Sequence, residues 1–152
     1  MMKLEPLFRI AYTKVLVPVD CTPLSQQVVL EAARLMVPMT GAQMTLLATV
    51  PPTEGTSPER DTLRQARWKH AEQALDSARK FLRDYGYYVR TRIQVAPDAA
   101  HALHAEVKEN HYDLAVIGSH FGHRDEPCEP SEADKLLEGF PVPIVVVNSR
   151  NK

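Results

Sequence analysis

KVLVPVD, at residues 14–20, is a short apolar run rich in β-branched residues. A run of this length without polar alternation predicts a strand that is buried on both faces, as is typical of a parallel sheet. Thr22 and Pro23 follow at once, and they suit the N-cap and the first turn of a helix. The helix is predicted to extend to about Pro38, because apolar residues recur at helical spacing up to that point. The pattern therefore begins with a strand, a tight turn and a helix.

The same alternation of strand and helix continues along the chain. Further strands are predicted at 44–50, 88–95, 113–118 and 143–148, and further helices at 58–85, 99–109 and 131–138. Polar and apolar residues alternate in the third strand, which predicts a half-exposed strand at the edge of a sheet. Repeated strand–helix units require right-handed crossovers and a parallel sheet with helices on both faces. We therefore predict a doubly wound α/β fold, a Rossmann-like three-layer sandwich around a five-stranded parallel sheet.

Composition places the 152-residue chain among ordinary globular proteins, with 44% hydrophobic residues, 24% charged residues and a net charge of -1. So small a charge provides no basic field to attract nucleic acid or an anionic membrane. No apolar run approaches the roughly 20 residues that cross a bilayer. The cysteines are Cys21 and Cys128, which fit a reducing compartment better than a disulfide framework. We expect one cytoplasmic domain at 13–149, between an N-terminal arm at 1–12 and a tail at 150–152.

A ligand site is expected at the carboxyl ends of the strands, because doubly wound sheets bind ligands where the strand order reverses. Asp20 comes directly after the first strand. Its carboxylate can accept hydrogen bonds from a ribose hydroxyl or an adenine amino group, or it can cap the next helix. Gly118 ends the fourth strand, where a glycine permits positive φ and close approach of a ligand, or serves packing alone. The other candidates at the strand ends are Pro18, Val19, Thr49, Ser119 and His120.

The motifs indicate a binding site rather than a catalytic one. The sequence contains no Walker-type phosphate loop, no dinucleotide glycine fingerprint and no serine nucleophile elbow. Cys21 is a possible thiol nucleophile, but no base is placed beside it. His120, His123 and Cys128 lie close together in sequence, yet their spacing matches no zinc motif and a fourth ligand is missing. We therefore predict neither catalytic residues nor a metal site.

Four segments together resemble the universal stress protein family. They are KVLVPVDCTPLS at 14–25, MTLLATV at 44–50, YDLAVIGSH at 112–120 and FPVPIVVVN at 140–148. The resemblance covers residues 13–149 and implies an adenine nucleotide alpha hydrolase-like fold with the strand order 3-2-1-4-5. It also implies a role in stress tolerance and a homodimer joined near the last strand. Here Ile144–Val147 form an apolar run at a sheet edge, which invites such pairing.

Members of the family that bind ATP carry a glycine motif, which this chain matches only in part. The motif is glycine, two residues, glycine, nine residues, glycine, and then serine or threonine. Gly118 fills the first position, but Phe121 occupies the second, with Gly122 behind it. The third glycine falls on Ser131 or, in a shorter alignment that keeps Ser131 as the hydroxyl residue, on Pro130. Since proline has no N–H to offer a phosphate, weak or absent ATP binding is expected.

The sequence as a whole indicates a non-catalytic stress-response or regulatory module. It is expected to bind a small ligand or a protein partner through a degenerate nucleotide site, with an adenine nucleotide as the possible ligand. One alternative is a genuine ATP- or AMP-binding member with slow hydrolysis. Another is a regulatory domain of a transporter or signalling system. Neither nucleic acid binding nor direct membrane insertion is expected.

Overall fold

The computed structural model describes residues 14–36, 42–83, 88–119, 121 and 138–148. Five strands lie within them: β1 (Lys14–Pro18), β2 (Gln43–Val50), β3 (Tyr88–Val95), β4 (Leu114–Gly118) and β5 (Ile144–Val147). The three helices of the same residues are α1 (Pro23–Met36), α2 (Pro58–Leu82) and α3 (Ala99–Glu109). The predicted arm at 1–12, the tail at 150–152 and all but the last residue of the predicted helix at 131–138 lie outside the described residues.

All five strands are parallel in one sheet, in the order β3-β2-β1-β4-β5. The predicted fold class and strand order are therefore confirmed. β1 is central, because Val15 pairs with Met44 of β2 on one side and with Leu114 of β4 on the other. The chain runs outward from β1 through β2 to β3 and then returns to β4 and β5. The strand order thus reverses between β1 and β4, and their carboxyl ends form the position where doubly wound folds bind ligands.

Two apolar clusters cover the two faces of the sheet. The larger cluster includes Val15 and Val17 of β1 and packs under α1 and α2. The smaller cluster includes Leu16 of β1 and Leu103 of α3, on the opposite face. Successive β1 side chains point to alternate faces, as strand geometry requires, and all three are fully buried. The interpretation of this segment as a strand buried on both faces is confirmed for Val15–Val17.

Short polar side chains define the starts of the helices. Thr22 caps α1, Ser57 caps α2 and Asp98 caps α3. In each case the side-chain oxygen accepts the N–H of the residue three positions ahead, at 3.3, 3.2 and 2.8 Å respectively. The capping roles of Thr22 and Asp98 match the sequence prediction. None of the helices in the described part of the chain is long and apolar enough to cross a membrane.

The first strand is shorter than predicted. β1 ends at Pro18 rather than at residue 20, although the Val19 N–H still donates to the Leu47 carbonyl of β2 at 2.8 Å. Beyond this bond the chain turns toward α1, because the Asp20 side chain accepts the backbone N–H of Thr22. The aspartate therefore belongs to the turn rather than to the strand.

Candidate functional site

The carboxyl end of β1 is a tight turn built around the Asp20 carboxylate. Its Oδ1 accepts the N–H of Thr22 at 2.8 Å and also the Thr22 hydroxyl. The Asp20 N–H donates to Ser25 Oγ at 3.0 Å, and Ser25 is only 8% exposed. Asp20 itself is exposed, and its Oδ2 accepts no hydrogen bond from any residue that the structure describes. The alternative in which Asp20 caps α1 is wrong, because Thr22 is the cap; Asp20 shapes the turn and presents one carboxylate oxygen outward.

Gly118 ends β4 beside the first turns of α1. Its φ is not positive, so the conformational freedom of glycine is not used here. A Cβ at this position would lie 3.1 Å from Leu24 Cδ2 and 3.1 Å from Val28 Cγ2. These distances support the packing alternative, since a side chain here would require Leu24 and Val28 to shift by a few tenths of an ångström. This close packing brings the start of α1, and with it the Asp20 turn, next to the end of β4.

The backbone that follows β4 is tied to other protein atoms. The Ser119 N–H donates to the Val147 carbonyl at 2.8 Å, and the Phe121 N–H donates to the Gly118 carbonyl at 2.9 Å. The Phe121 side chain is 8% exposed and belongs to the smaller apolar cluster. The residue in the second glycine position of the ATP motif is thus an anchor in the core. Its N–H is already used, whereas a phosphate cradle needs backbone N–H groups that point at the ligand.

The remaining predicted site residues are distributed as follows. Pro18 is half-buried at the end of β1, and Val19 packs into the larger cluster at 7% exposure, so Val19 offers backbone rather than side chain to a ligand. Thr49 is half-buried near the carboxyl end of β2, the neighbour of β1. His120, Gly122 and Ser131 lie outside the described residues. The structure therefore brings together the β1 end, the Asp20 turn and the β4 end.

The surroundings of the Cys21 thiol beside this turn disfavour its thiolate form. Partial burial raises the pKa of the thiol, and the neighbouring Asp20 charge raises it further. Since the thiolate is the reactive form, a raised pKa lowers the reactivity of the cysteine. Within the ranges that the structure describes, no group of three or more His, Cys, Asp or Glu side chains is placed to hold a metal ion.

A buried carboxylate that the sequence analysis did not identify lies on the α3 side of the sheet. Glu106 is fully buried, and its Oε1 accepts bonds from Arg92 Nε at 3.1 Å and Gln94 Nε2 at 2.9 Å. Its Oε2 accepts bonds from Asn110 Nδ2 at 2.9 Å and the Tyr112 hydroxyl at 2.7 Å. Burial alone would raise the pKa of the Glu106 carboxyl, but the bonds from Gln94, Tyr112 and Arg92 outweigh it and hold the pKa below its usual value. We call these five residues the Glu106 cluster.

The cluster explains the polar half of β3. β3 is an edge strand, as predicted, but Arg92 and Gln94 bond to α3 instead of pointing freely into solvent. The available signal was the position of Glu106, which falls on the same helical stripe as the buried Ala102 and Leu103. A carboxylate on such a stripe requires polar partners across the interface. Because both of its oxygens are occupied, Glu106 joins α3 to β3 and has no acceptor position left for a ligand.

Comparison with known proteins identifies one family. The model of the universal stress protein family matches residues 11–148. No curated protein sequence matches the chain.

Several solved structures share the fold. The universal stress protein UspA from Lactobacillus plantarum is 23% identical with a TM-score of 0.74, over 90% of this chain and 97% of that one. A universal stress protein family protein from Arabidopsis thaliana with AMP bound is 16% identical with a TM-score of 0.65, over 91% and 92%. A universal stress protein from Archaeoglobus fulgidus in complex with dAMP is 18% identical with a TM-score of 0.66, over 90% and 98%. At these identities the likeness establishes the fold.

Proposed function

This chain belongs to the universal stress protein family, and from that premise we propose that it is a non-catalytic stress-response or regulatory module of the cytoplasm. It binds an adenine nucleoside or nucleoside monophosphate at the carboxyl ends of β1 and β4, and it binds ATP weakly or not at all. The observation that carries the proposal is the contrast within this one site. Asp20 presents an exposed carboxylate oxygen, whereas the Phe121 N–H in the phosphate motif is bonded to Gly118.

Asp20 supports the first part of the proposal, which is that an adenine nucleoside or nucleoside monophosphate binds. The bonds from Thr22 and to Ser25 fix the turn before any ligand arrives, so little conformational entropy is lost on binding. An exposed carboxylate oxygen can accept hydrogen bonds from a ribose hydroxyl or an adenine amino group. Two proteins of the same fold were solved with AMP and with dAMP, which are adenine monophosphates.

Phe121 supports the second part of the proposal, which is that ATP binds weakly or not at all. Its buried side chain and its bonded N–H remove one donor from the phosphate cradle of the family's ATP binders. The following segment also carries the acidic residues Asp125, Glu126 and Glu129. Each like-charge contact with a phosphate costs about 1 kcal/mol at about 4 Å in water, and more in a pocket. A monophosphate carries less negative charge than a triphosphate, so like-charge repulsion opposes its binding less.

Nucleotide carried through purification tests this function. The dialysed protein is denatured, the released small molecules are identified by mass spectrometry, and a parallel sample is assayed for ATP hydrolysis. We expect adenosine or AMP in the extract and hydrolysis no faster than in a protein-free control. Stoichiometric ATP in the extract, or hydrolysis that Asp20→Ala abolishes, would instead support the alternative of an ATP-binding member with slow turnover.

We also propose a homodimer formed through β5. This strand lies at the edge of the sheet, and Val146 is 42% exposed on it. An apolar edge strand pairs readily with another edge, and a two-fold axis would pair β5 with itself. Sedimentation at micromolar concentration should give twice the 17.1 kDa chain mass. Val146→Lys should shift the protein to a monomer; a monomeric wild-type protein contradicts the proposal.

A further inference from the structure

The opposite edge of the sheet carries a groove far from the Asp20 turn in the strand order. The groove lies between β3 and α2 and has a volume of about 480 Å³. Trp68, Leu75 and Ile93 supply its apolar surface, and Glu72 and Asp76 supply carboxylates. Trp68 is 41% exposed, which leaves a large part of its indole ring open to a partner. The proposed function uses none of these residues.

The residues of the α2 wall recur about once per helical turn. Trp68, Glu72, Asp76 and Arg79 are three or four residues apart, so they lie along one face of the helix. The Arg79 Nη2 donates to Thr91 Oγ1 of β3 at 3.0 Å. This bond holds α2 against the strand at one end of the groove, and the groove is therefore a fixed part of the fold.

Some charged side chains of the groove form ion pairs and others do not. Arg92 bonds to Glu106 and Glu109 on the α3 side of the sheet. In contrast, Glu72 and Asp76 accept no hydrogen bond and form no ion pair with the residues that the structure describes. Arg79 brings one positive charge to the same groove and bonds to a hydroxyl rather than to a carboxylate. Glu72 and Asp76 outnumber it, and together with the exposed indole ring they suit a cationic side chain, which gains from both the charges and the ring face.

β3 adds a backbone element to this surface. All eight residues, Tyr88–Val95, pair with β2 on one side. The described residues place no strand on the other side. Alternate N–H and C=O groups of an edge strand point away from the sheet and can pair with an added strand. Val95 is 57% exposed at the carboxyl end of β3, so an added strand would find an apolar side chain there to pack against.

We propose that this edge binds an extended segment of a protein partner that contains lysine or arginine. The segment adds to β3 as a further strand and places a basic side chain beside Trp68, Glu72 and Asp76. Its neighbouring apolar side chains pack on Leu75 and Ile93. The surface shares no residue with the proposed nucleotide site.

A designed peptide tests the proposal. The probe is the capped octapeptide Thr-Val-Thr-Lys-Thr-Lys-Thr-Val, whose valines and lysines share one face of a strand. Backbone and indole NMR signals of the full chain are followed during titration. We expect the largest shifts at residues 88–95 and at Trp68. The same peptide with glutamate in place of lysine should bind at least about tenfold more weakly, because it meets two carboxylates instead of matching them.

Two further probes separate backbone pairing from charge attraction. N-methylation of the lysine peptide at either the odd or the even residues blocks one set of its N–H donors, and at least one of these two peptides should lose binding. The variant Glu72→Gln/Asp76→Asn should bind the lysine peptide about fivefold more weakly, since exposed ion pairs contribute a few-fold each. Gln73→Lys/Ser77→Lys makes the same change in net charge on the same turns of α2, outside the groove. It should change the affinity less than about twofold.

Three outcomes would overturn the proposal. The first is a lysine peptide that causes no shifts at residues 88–95 up to millimolar concentration. The second is equal weakening by the two double variants, which would show attraction to overall charge. The third is a set of shifts at residues 88–95 that appears on changing the protein concentration alone, which would show that a second copy of the chain occupies the edge. Circular dichroism of both variants confirms that they are folded.

Discussion

Two carboxylates of this molecule end in opposite environments. Asp20 is exposed at the carboxyl end of β1, where one of its oxygens holds a turn and the other is open. Glu106 is fully buried on α3, and each of its oxygens accepts two hydrogen bonds. Desolvating a charge is costly unless hydrogen bonds replace the lost water, and the Glu106 cluster supplies four of them.

The difference shows how to separate a stabilising carboxylate from a ligand-binding one. A group whose acceptor positions are all filled by the protein can stabilise the fold but has nothing left to offer a ligand. A group that is fixed by part of its bonding capacity and open in the rest is prepared to bind. Substitutions at Glu106 should therefore affect stability, and substitutions at Asp20 should affect binding.

The largest effect on stability is expected from Glu106→Ala. The substitution removes four hydrogen bonds of about 1 kcal/mol each and leaves half-buried Asn110 and Tyr112 without this acceptor, so it should lower the free energy of unfolding by about 3–5 kcal/mol. Urea denaturation followed by circular dichroism measures the change. The matched control is Glu109→Ala, because Glu109 also bonds to Arg92 and Gln94 but is exposed. It should cost less than about 1 kcal/mol. Similar losses in both variants would show that burial does not distinguish the two glutamates.

The next largest effect is expected at Phe121, where the backbone leaves β4 for the candidate site. Phe121→Ala should lower the free energy of unfolding by about 3 kcal/mol, because it removes a buried aromatic ring from the smaller apolar cluster. Phe121→Leu keeps most of the apolar contact and should cost less than half as much. A loss below about 0.5 kcal/mol for the alanine variant would show that Phe121 is not a core anchor.

Tyr112 provides a pH test of the buried cluster. Burial and the hydrogen bond to Glu106 raise the pKa of Tyr112 to about 12. The hydroxyl therefore loses its proton more readily in the unfolded chain, whose tyrosine pKa is about 10. The stabilisation of the fold by the protonated Tyr112 hydroxyl is complete below pH 10. It is lost as the pH rises from about 10 through 12. Tyr112→Phe should cost about 1 kcal/mol at pH 7.

The difference in unfolding free energy between wild type and Tyr112→Phe should shrink over that alkaline range. Urea titrations of both proteins at pH 8, 10 and 11 measure it. A difference that stays constant across these values would show that the tyrosine does not donate to Glu106 in solution.

The smallest effect on stability is expected at the turn. Asp20→Asn retains an oxygen that accepts the Thr22 N–H, and it should change the free energy of unfolding by less than about 0.5 kcal/mol. Asp20→Ala removes that acceptor from an exposed turn and should cost about 0.5–1 kcal/mol. Thermal unfolding of the wild type and the two variants measures these changes in stability. Losses as large as that of Glu106→Ala would remove the distinction between the two carboxylates.

The fold could be predicted well because the hydrophobic pattern of each strand and helix is a local feature of the sequence. Apolar strands of the right length alternate with helices, and Val15–Val17 of the central KVLVPVD run are fully buried, as the lack of polar alternation required. Strand ends were less predictable, since the apolar run indicated a strand up to about residue 20, whereas β1 ends at Pro18 and the Asp20 side chain turns the chain toward α1. Turn geometry of this kind depends on hydrogen bonds that a hydrophobic pattern does not report.

The site was predicted only in part, because its chemistry depends on which bonds are already made. The sequence placed Asp20 and Gly118 at the correct strand ends, but it left open whether each serves a ligand or the fold. The side chains of Leu24 and Val28 lie close enough to Gly118 to support the packing alternative, and the φ of Gly118 is not positive. The Glu106 cluster joins residues from β3, α3 and the segment before β4, and such long-range partners are not visible in a single helical stripe.

Calorimetry of the wild-type protein and Asp20→Asn, with AMP and with ATP plus magnesium, tests the proposed nucleotide site most directly. We predict measurable AMP binding to the wild type, at least about tenfold weaker ATP binding, and loss of the AMP signal in a variant that remains as stable as the wild type. ATP binding as tight as AMP binding would contradict the role assigned to Phe121. AMP or ATP binding that is unchanged in Asp20→Asn would contradict the placement of the site itself.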